Sequence, residues 1–145
     1  MSQISDQSEK GNVMKLFSGL IMLVLLFVPI SVFGQKTQRV KFAKGATSAN
    51  VTGRLNNYKS KVVFVIRVKE GQTLTVEQIK PDNSSNYVTL IITSPSGEDV
   101  SDAEANCNSN KTIESTAAGD YQINVTECMK ADAWSGNFKL KFTVK

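Results

Sequence analysis

The chain has 145 residues, a formal net charge of +4, two cysteines and no histidine. That length holds one domain, or a small domain behind a targeting segment, and excludes a two-domain enzyme. Without histidine the usual general base and the commonest metal ligand are missing, so Ser-His-Asp and Cys-His devices are excluded, and two cysteines are too few for a zinc cage.

The first 34 residues differ in kind from the rest. After a polar start, Lys15 leads into residues 16–34 (LFSGLIMLVLLFVPISVFG), an apolar run interrupted by Pro29 and ending in small or turn-forming residues. This is the pattern of a secretory signal peptide. Residues 16–33 also have the length of a membrane span, but Pro29 and the flank Ser31, Val32, Phe33, Gly34 favour cleavage before Gln35. Met14 and Lys15 themselves look like the opening of a signal peptide, so a start at Met14 would leave the mature chain unchanged. The expected product is a periplasmic or secreted domain, residues 35–145, clear of the membrane once cleaved. No cysteine lies near the cut, which excludes a lipid anchor there.

The next elements read as strands. Residues 39–42 (RVKF) and 50–55 (NVTGRL) alternate, 62–68 (VVFVIRV) is rich in β-branched residues, and Leu74, Val76 and Ile79 continue after a turn. Residues 87–93 (YVTLIIT) and 121–126 (YQINVT) follow. The last run, 137–144 (NFKLKFTV), alternates strictly, with Phe138, Leu140, Phe142 and Val144 on one face. Gly, Pro, Asn or Asp punctuates the chain at 69–72, 80–83, 94–97 and 118–120. No helical stripe stands out after the leader. Seven or eight short strands imply an all-β fold, an antiparallel, jelly-roll-like β-sandwich, because a sheet with one apolar face must bury it against another.

Charge is unevenly placed. Residues 35–80 carry ten Lys/Arg and two acids, whereas residues 81–145 carry five Lys/Arg and nine acids. A polynucleotide binder would concentrate its basic groups with interleaved aromatics, whereas here they mostly alternate with apolar residues along strands, so they read as solvated strand faces and not as a nucleic-acid surface. Cys107 and Cys128 are oxidised by default in an exported chain, and the bridge would contribute about 3 kcal/mol on the chain-entropy model.

Four segments carry a resemblance: residues 39–58 (RVKFAKGATSANVTGRLNNY), 70–77 (EGQTLTVE), 117–125 (AAGDYQINV) and 138–145 (FKLKFTVK). Their order, glycines and turn residues resemble the periplasmic inhibitors of g-type lysozyme, within the wider group of pre-peptidase C-terminal-like β-sandwiches. The resemblance implies a sandwich whose loops, at one end, block the active-site cleft of a muramidase, using a tyrosine after the second strand and arginines in the loop before the last. Tyr58, followed by Lys59, matches that tyrosine. The arginines have no counterpart, and residues 127–136 (ECMKADAWSG) offer Lys130, Asp132 and Trp134 instead. A lysozyme cleft holds catalytic carboxylates, so Lys130 there would be attracted, without the bidentate geometry of arginine. Trp134 reads either as a plug over the open end of the sandwich or as an exposed aromatic that binds sugar or protein.

The resemblance implies a non-enzyme whose partner is a g-type lysozyme, with Tyr58 and the 130–134 loop at one end of the sandwich. The alternative is a non-catalytic, carbohydrate- or calcium-binding sandwich module with a glycan as partner. Glu98, Asp99, Asp102 and Glu104 are the calcium candidates, but their spacing does not fit an Asp-x-Asp-x-Asp-Gly loop, and a solvated acidic loop with no cofactor is the simpler reading.

Overall fold

A computed structural model describes residues 37–80, 86–102, 107–129 and 133–145, all within one compact unit, Gln35–Lys145. The leader and its cleavage point, the 81–83 part of a predicted turn, Glu104, Lys130 and Asp132 lie outside the described residues.

The described residues form eight strands: β1 (Thr37–Arg39), β2 (Ser48–Leu55), β3 (Lys61–Val68), β4 (Leu74–Ile79), β5 (Val88–Thr93), β6 (Asn110–Ile113), β7 (Gly119–Glu127) and β8 (Gly136–Val144). They make two four-stranded sheets, β1-β3-β7-β5 and β2-β8-β4-β6. Odd-numbered strands occupy one sheet and even-numbered strands the other, so each turn carries the chain across the sandwich. The short connections are therefore bridges between layers and not hairpins within one. Alternation gives a strand one apolar face but does not choose its neighbour.

The inner faces interdigitate as the period-2 patterns require. Phe138, Leu140 and Phe142 of β8 meet Phe64 and Ile66 of β3, Leu90 and Ile92 of β5, and Ile123 and Val125 of β7, all buried. Phe64 lies edge-on to Phe138 and Phe142, with centroids 6.3 and 6.0 Å apart, an arrangement that suits the ring quadrupoles. Gly53, opposite Phe138 in the β2–β8 ladder, is required by packing: a Cβ there would sit 2.3 Å from the Phe138 ring.

Two details differ from the sequence reading. The first strand is Thr37–Arg39 and not 39–42, and it runs parallel to β3, with Thr37 opposite Val63 and Arg39 opposite Val65, in an otherwise antiparallel sandwich. The Val40 amide extends that pairing by donating to the Val65 carbonyl at 2.9 Å. Val40 and Phe42 turn into the core from the segment that crosses to β2, and an apolar alternation in such a crossover looks like a strand. The second detail is β6 (NKTI), whose polar residues carry no strand signal. Its place is set by β4, which holds Ile113 opposite Leu74.

Candidate functional site

Three connections meet at one end of the sandwich because of the ladder registers. Leu55, at the end of β2, lies opposite Gly136 at the start of β8; Lys61, at the start of β3, lies opposite Thr126 near the end of β7; and Glu127 lies opposite Val88 at the start of β5. The segments 56–60, 86–87, 128–129 and 133–135 therefore open on the same side of the core.

The 56–60 connection is a tightly bonded turn. Asn57 Oδ1 accepts from the Lys59 amide at 2.9 Å, the Ser60 amide donates to the Asn57 carbonyl at 2.9 Å, and Ser60 Oγ accepts from the Asn56 and Asn57 amides at 3.1 and 3.2 Å. Asn and Ser suit this role because their short side chains close hydrogen bonds to neighbouring backbone. The turn leaves the Tyr58 side chain 57% exposed, with Lys59 Nζ 5.5 Å from its ring centroid.

Trp134 sits at the other side of this end, half-buried against the core. Its backbone amide donates to Glu127 Oε1 at 2.8 Å, and its indole Nε1 donates to the Tyr87 carbonyl at 3.2 Å. That same carbonyl accepts from the Cys128 amide at 3.0 Å. Both polar handles of the residue are thus engaged while its ring covers apolar side chains, which is the plug geometry. The neighbouring strand is fixed by Gln78, whose Nε2 donates to the Asn86 carbonyl at 2.8 Å and whose Oε1 accepts from the Val88 amide at 3.0 Å.

Cys107 and Cys128 form a disulfide across 21 residues. Cys107 adopts a left-handed φ of 70° and donates its amide to Thr89 Oγ1 at 3.1 Å. The bridge ties the segment before β6 to the first residue after β7. Beside it Met129 is 79% exposed.

Glu127 is a residue that sequence reasoning missed. It is buried, with Oε1 held by Trp134 and Oε2 without a hydrogen-bond partner among the described residues. The signal was present: Tyr121, Ile123, Val125 and Glu127 share one face of β7, so the alternation itself sends this carboxylate inward.

The acidic candidates do not belong to this end. Glu98 and Asp99 follow the turn after β5, where the Glu98 amide donates to Ser94 Oγ at 3.2 Å. The Ser101 hydroxyl and amide hold the Asp99 carboxyl below its usual range, and Asp102 accepts from Lys111 Nζ at 2.6 Å. Among the described residues no three histidine, cysteine, aspartate or glutamate side chains gather as a metal site.

Neither a family model nor a curated protein sequence matches the chain. Solved structures do. Aeromonas hydrophila PliG, a periplasmic inhibitor of g-type lysozyme, superposes with a TM-score of 0.56 at 21% identity over 75% of this chain and 96% of its own. Salmonella Typhimurium PliG gives 0.54 at 20% identity over 77% and 100%. A mutant of the Escherichia coli inhibitor gives 0.52 at 18% identity over 77% and 100%. The fold is that of these inhibitors, and the chain spans nearly the whole of each.

Proposed function

We propose that this chain is an exported, non-enzymatic inhibitor of g-type lysozyme that acts through the end of the sandwich carrying Tyr58. Residues 1–34 serve as its signal peptide, residues 35–145 as its single domain, and the periplasm or the extracellular space as its destination. The observation that carries the reading is Tyr58 itself, a large aromatic held out on a hydrogen-bonded turn at one narrow end of a fold shared with three such inhibitors. A side chain presented this way can enter a cleft too narrow for a sheet face, and aromatic anchors dominate interface energetics.

Trp134 supports the end from within, Lys59 lies beside the anchor, and Lys130 and Asp132, which precede Trp134 in the sequence, are further candidate contacts. An ammonium brought near the paired carboxylates of a muramidase is stabilised by them. The reading needs no metal or other cofactor: Asp99 and Asp102 are engaged by Ser101 and Lys111.

The test is lysis of bacterial walls by g-, c- and i-type lysozymes in the presence of the purified protein, with complex formation measured in parallel. Suppression of the g-type enzyme alone is the expected result. No suppression of any of the three overturns the reading.

A further inference from the structure

At the end of the sandwich opposite Tyr58 the chain crosses from β1 to β2 through residues 40–47, and this crossover stands apart from the turns that face it. Its tip is a tight turn, in which the Ala46 amide donates to the Ala43 carbonyl at 3.0 Å and Gly45 takes a left-handed φ of 77°. The Thr47 carbonyl accepts from the Val144 amide at 2.8 Å, which fixes the crossover to the end of β8. Facing it, the turn after β3 is tied to the segment before β7. The Lys69 amide donates to Gln72 Oε1 at 2.7 Å, and the Gln72 carbonyl accepts from the Thr116 amide at 2.8 Å.

Between these walls lies a groove of about 680 Å³. The segments that form it, 42–47, 67–72, 118–119 and Val144, all lie among the described residues. Its apolar lining is Phe42, Ala46, Val68, Ala118 and Val144. Val68 is buried, Phe42 and Val144 pack half-buried against the core, and the two small alanines keep the groove open. Two exposed cations, Arg67 and Lys69, complete the lining, whereas Glu70 of the same turn is not part of it. Arg67 Nε meets Asp120 at 3.1 Å, and the same carboxylate accepts from both Nη atoms of Arg39 at 3.1 and 2.9 Å. One acid serves two guanidinium groups, so a positive charge is left over. The Nη donors of Arg67 and the Nζ of Lys69 have no partner among the described residues.

We propose that this groove binds a fatty acid, a single alkyl chain ending in a carboxylate. The chain lies along Phe42, Val68 and Val144 and removes their apolar surface from water. The planar fork of Arg67 suits a carboxylate, and Lys69 adds a second charge-assisted donor. An apolar groove of this size with a few placed polar groups is the usual composition of a small-ligand site. A peptide is a poorer occupant, because the backbone groups of the walls are already engaged: the Ala46 and Lys69 amides and the Thr47, Lys69 and Gln72 carbonyls all have partners. An alkyl chain asks nothing of them. The inference stands apart from the inhibitor reading, since the groove lies at the opposite end from Tyr58 and needs no lysozyme.

Calorimetric titration of the purified protein with decanoate, butyrate and decyl maltoside tests it. Decanoate is expected to bind, more weakly as salt rises. Butyrate, which has the head without the chain, should be silent, and decyl maltoside, which has the chain without the charge, should bind about tenfold more weakly or worse. Lys69→Gln removes one charge-assisted contact and should weaken decanoate about tenfold while leaving decyl maltoside unchanged. Ala46→Phe fills the groove from an exposed position and should abolish binding of both, with the melting temperature unchanged. Lys139→Gln, on the outer face of the β2-β8-β4-β6 sheet, should change neither. Absence of decanoate binding, equal affinity for decyl maltoside, tighter binding of decyl phosphate or of a short peptide ending in leucine, or full affinity for decanoate in both Lys69→Gln and Ala46→Phe overturns the proposal.

Discussion

The two ends of the sandwich are built differently. At the end away from Tyr58 the turns close on one another: Thr116 Oγ1 donates to the Lys69 carbonyl at 2.8 Å, the Gly71 amide donates to the Thr116 carbonyl at 2.8 Å, and Ala117 donates to the Tyr121 hydroxyl at 3.1 Å. Gly119, with φ of 141°, lies so close to Pro95 that an added Cβ would sit 2.7 Å from it, and Arg39 and Arg67 share the Asp120 carboxylate. At the Tyr58 end a tyrosine and a methionine stand exposed, Tyr87 is half-exposed, and a buried carboxylate oxygen has no hydrogen-bond partner among the described residues. A closed end contributes stability and an open one contributes surface. Interaction sites belong where local structure leaves apolar area and polar capacity unsatisfied.

The largest expected effect separates the ends by cross-linking. Replacing Cys107 and Cys128 together by alanine should cost about 3 kcal/mol in denaturant unfolding, since the bridge closes a span of 21 residues at the open end. An unchanged midpoint would mean that Trp134 and Glu127 hold that end without it.

A pair of substitutions should then act in opposite assays. Tyr58→Ala should weaken binding to a g-type lysozyme by about 1 to 3 kcal/mol while moving stability by no more than about 0.5 kcal/mol. Thr116→Val at the closed end should do the reverse, costing about 1 to 3 kcal/mol of stability through the carbonyl left without its donor, with affinity unchanged. If both variants lose stability and neither loses affinity, the two ends do not divide the work in this way.

Glu127 allows a finer cut. Glu127→Ala removes the acceptor of the Trp134 amide and should cost about 1 kcal/mol, with the emission of this sole tryptophan shifting to the red as the ring loosens. Glu127→Gln keeps an acceptor oxygen and should restore both readings, so equal behaviour of the two variants would refute the anchoring role.

The smallest effect lies at the closed end and in acid. The Arg39 guanidinium, by hydrogen bonding and by its charge, holds the Asp120 carboxyl below the usual carboxylate range, and the Arg39 value is raised in turn. Because the folded value lies below the unfolded one, this contribution is present above the ordinary aspartate range and is lost as pH falls through the folded value. In Arg39→Gln, Asp120 should titrate closer to its ordinary value, as followed by carboxyl NMR. Both groups are solvent-exposed, so the gain is slight. Calcium at millimolar concentration should leave the melting temperature unchanged, and a rise of several degrees would show a cation site in the acidic stretch.

The amino-acid sequence by itself determined the local facts: strands with one apolar face, turns at Gly, Pro, Asn and Asp, and a glycine within β2. These rest on steric rules and side-chain periods that act over a few residues. The resemblance singled out Tyr58 as a candidate, and Glu127 was legible in the alternation of β7 but hidden by its neighbour Cys128, which drew it into the following loop. Only the tertiary structure decided that consecutive strands lie in opposite sheets, that polar β6 pairs with β4, that β1 runs parallel to β3, and that Tyr87 joins Tyr58 and Trp134 at one end. Those outcomes depend on which apolar faces meet across the core, and partners far apart in the chain are chosen by packing that no local pattern encodes.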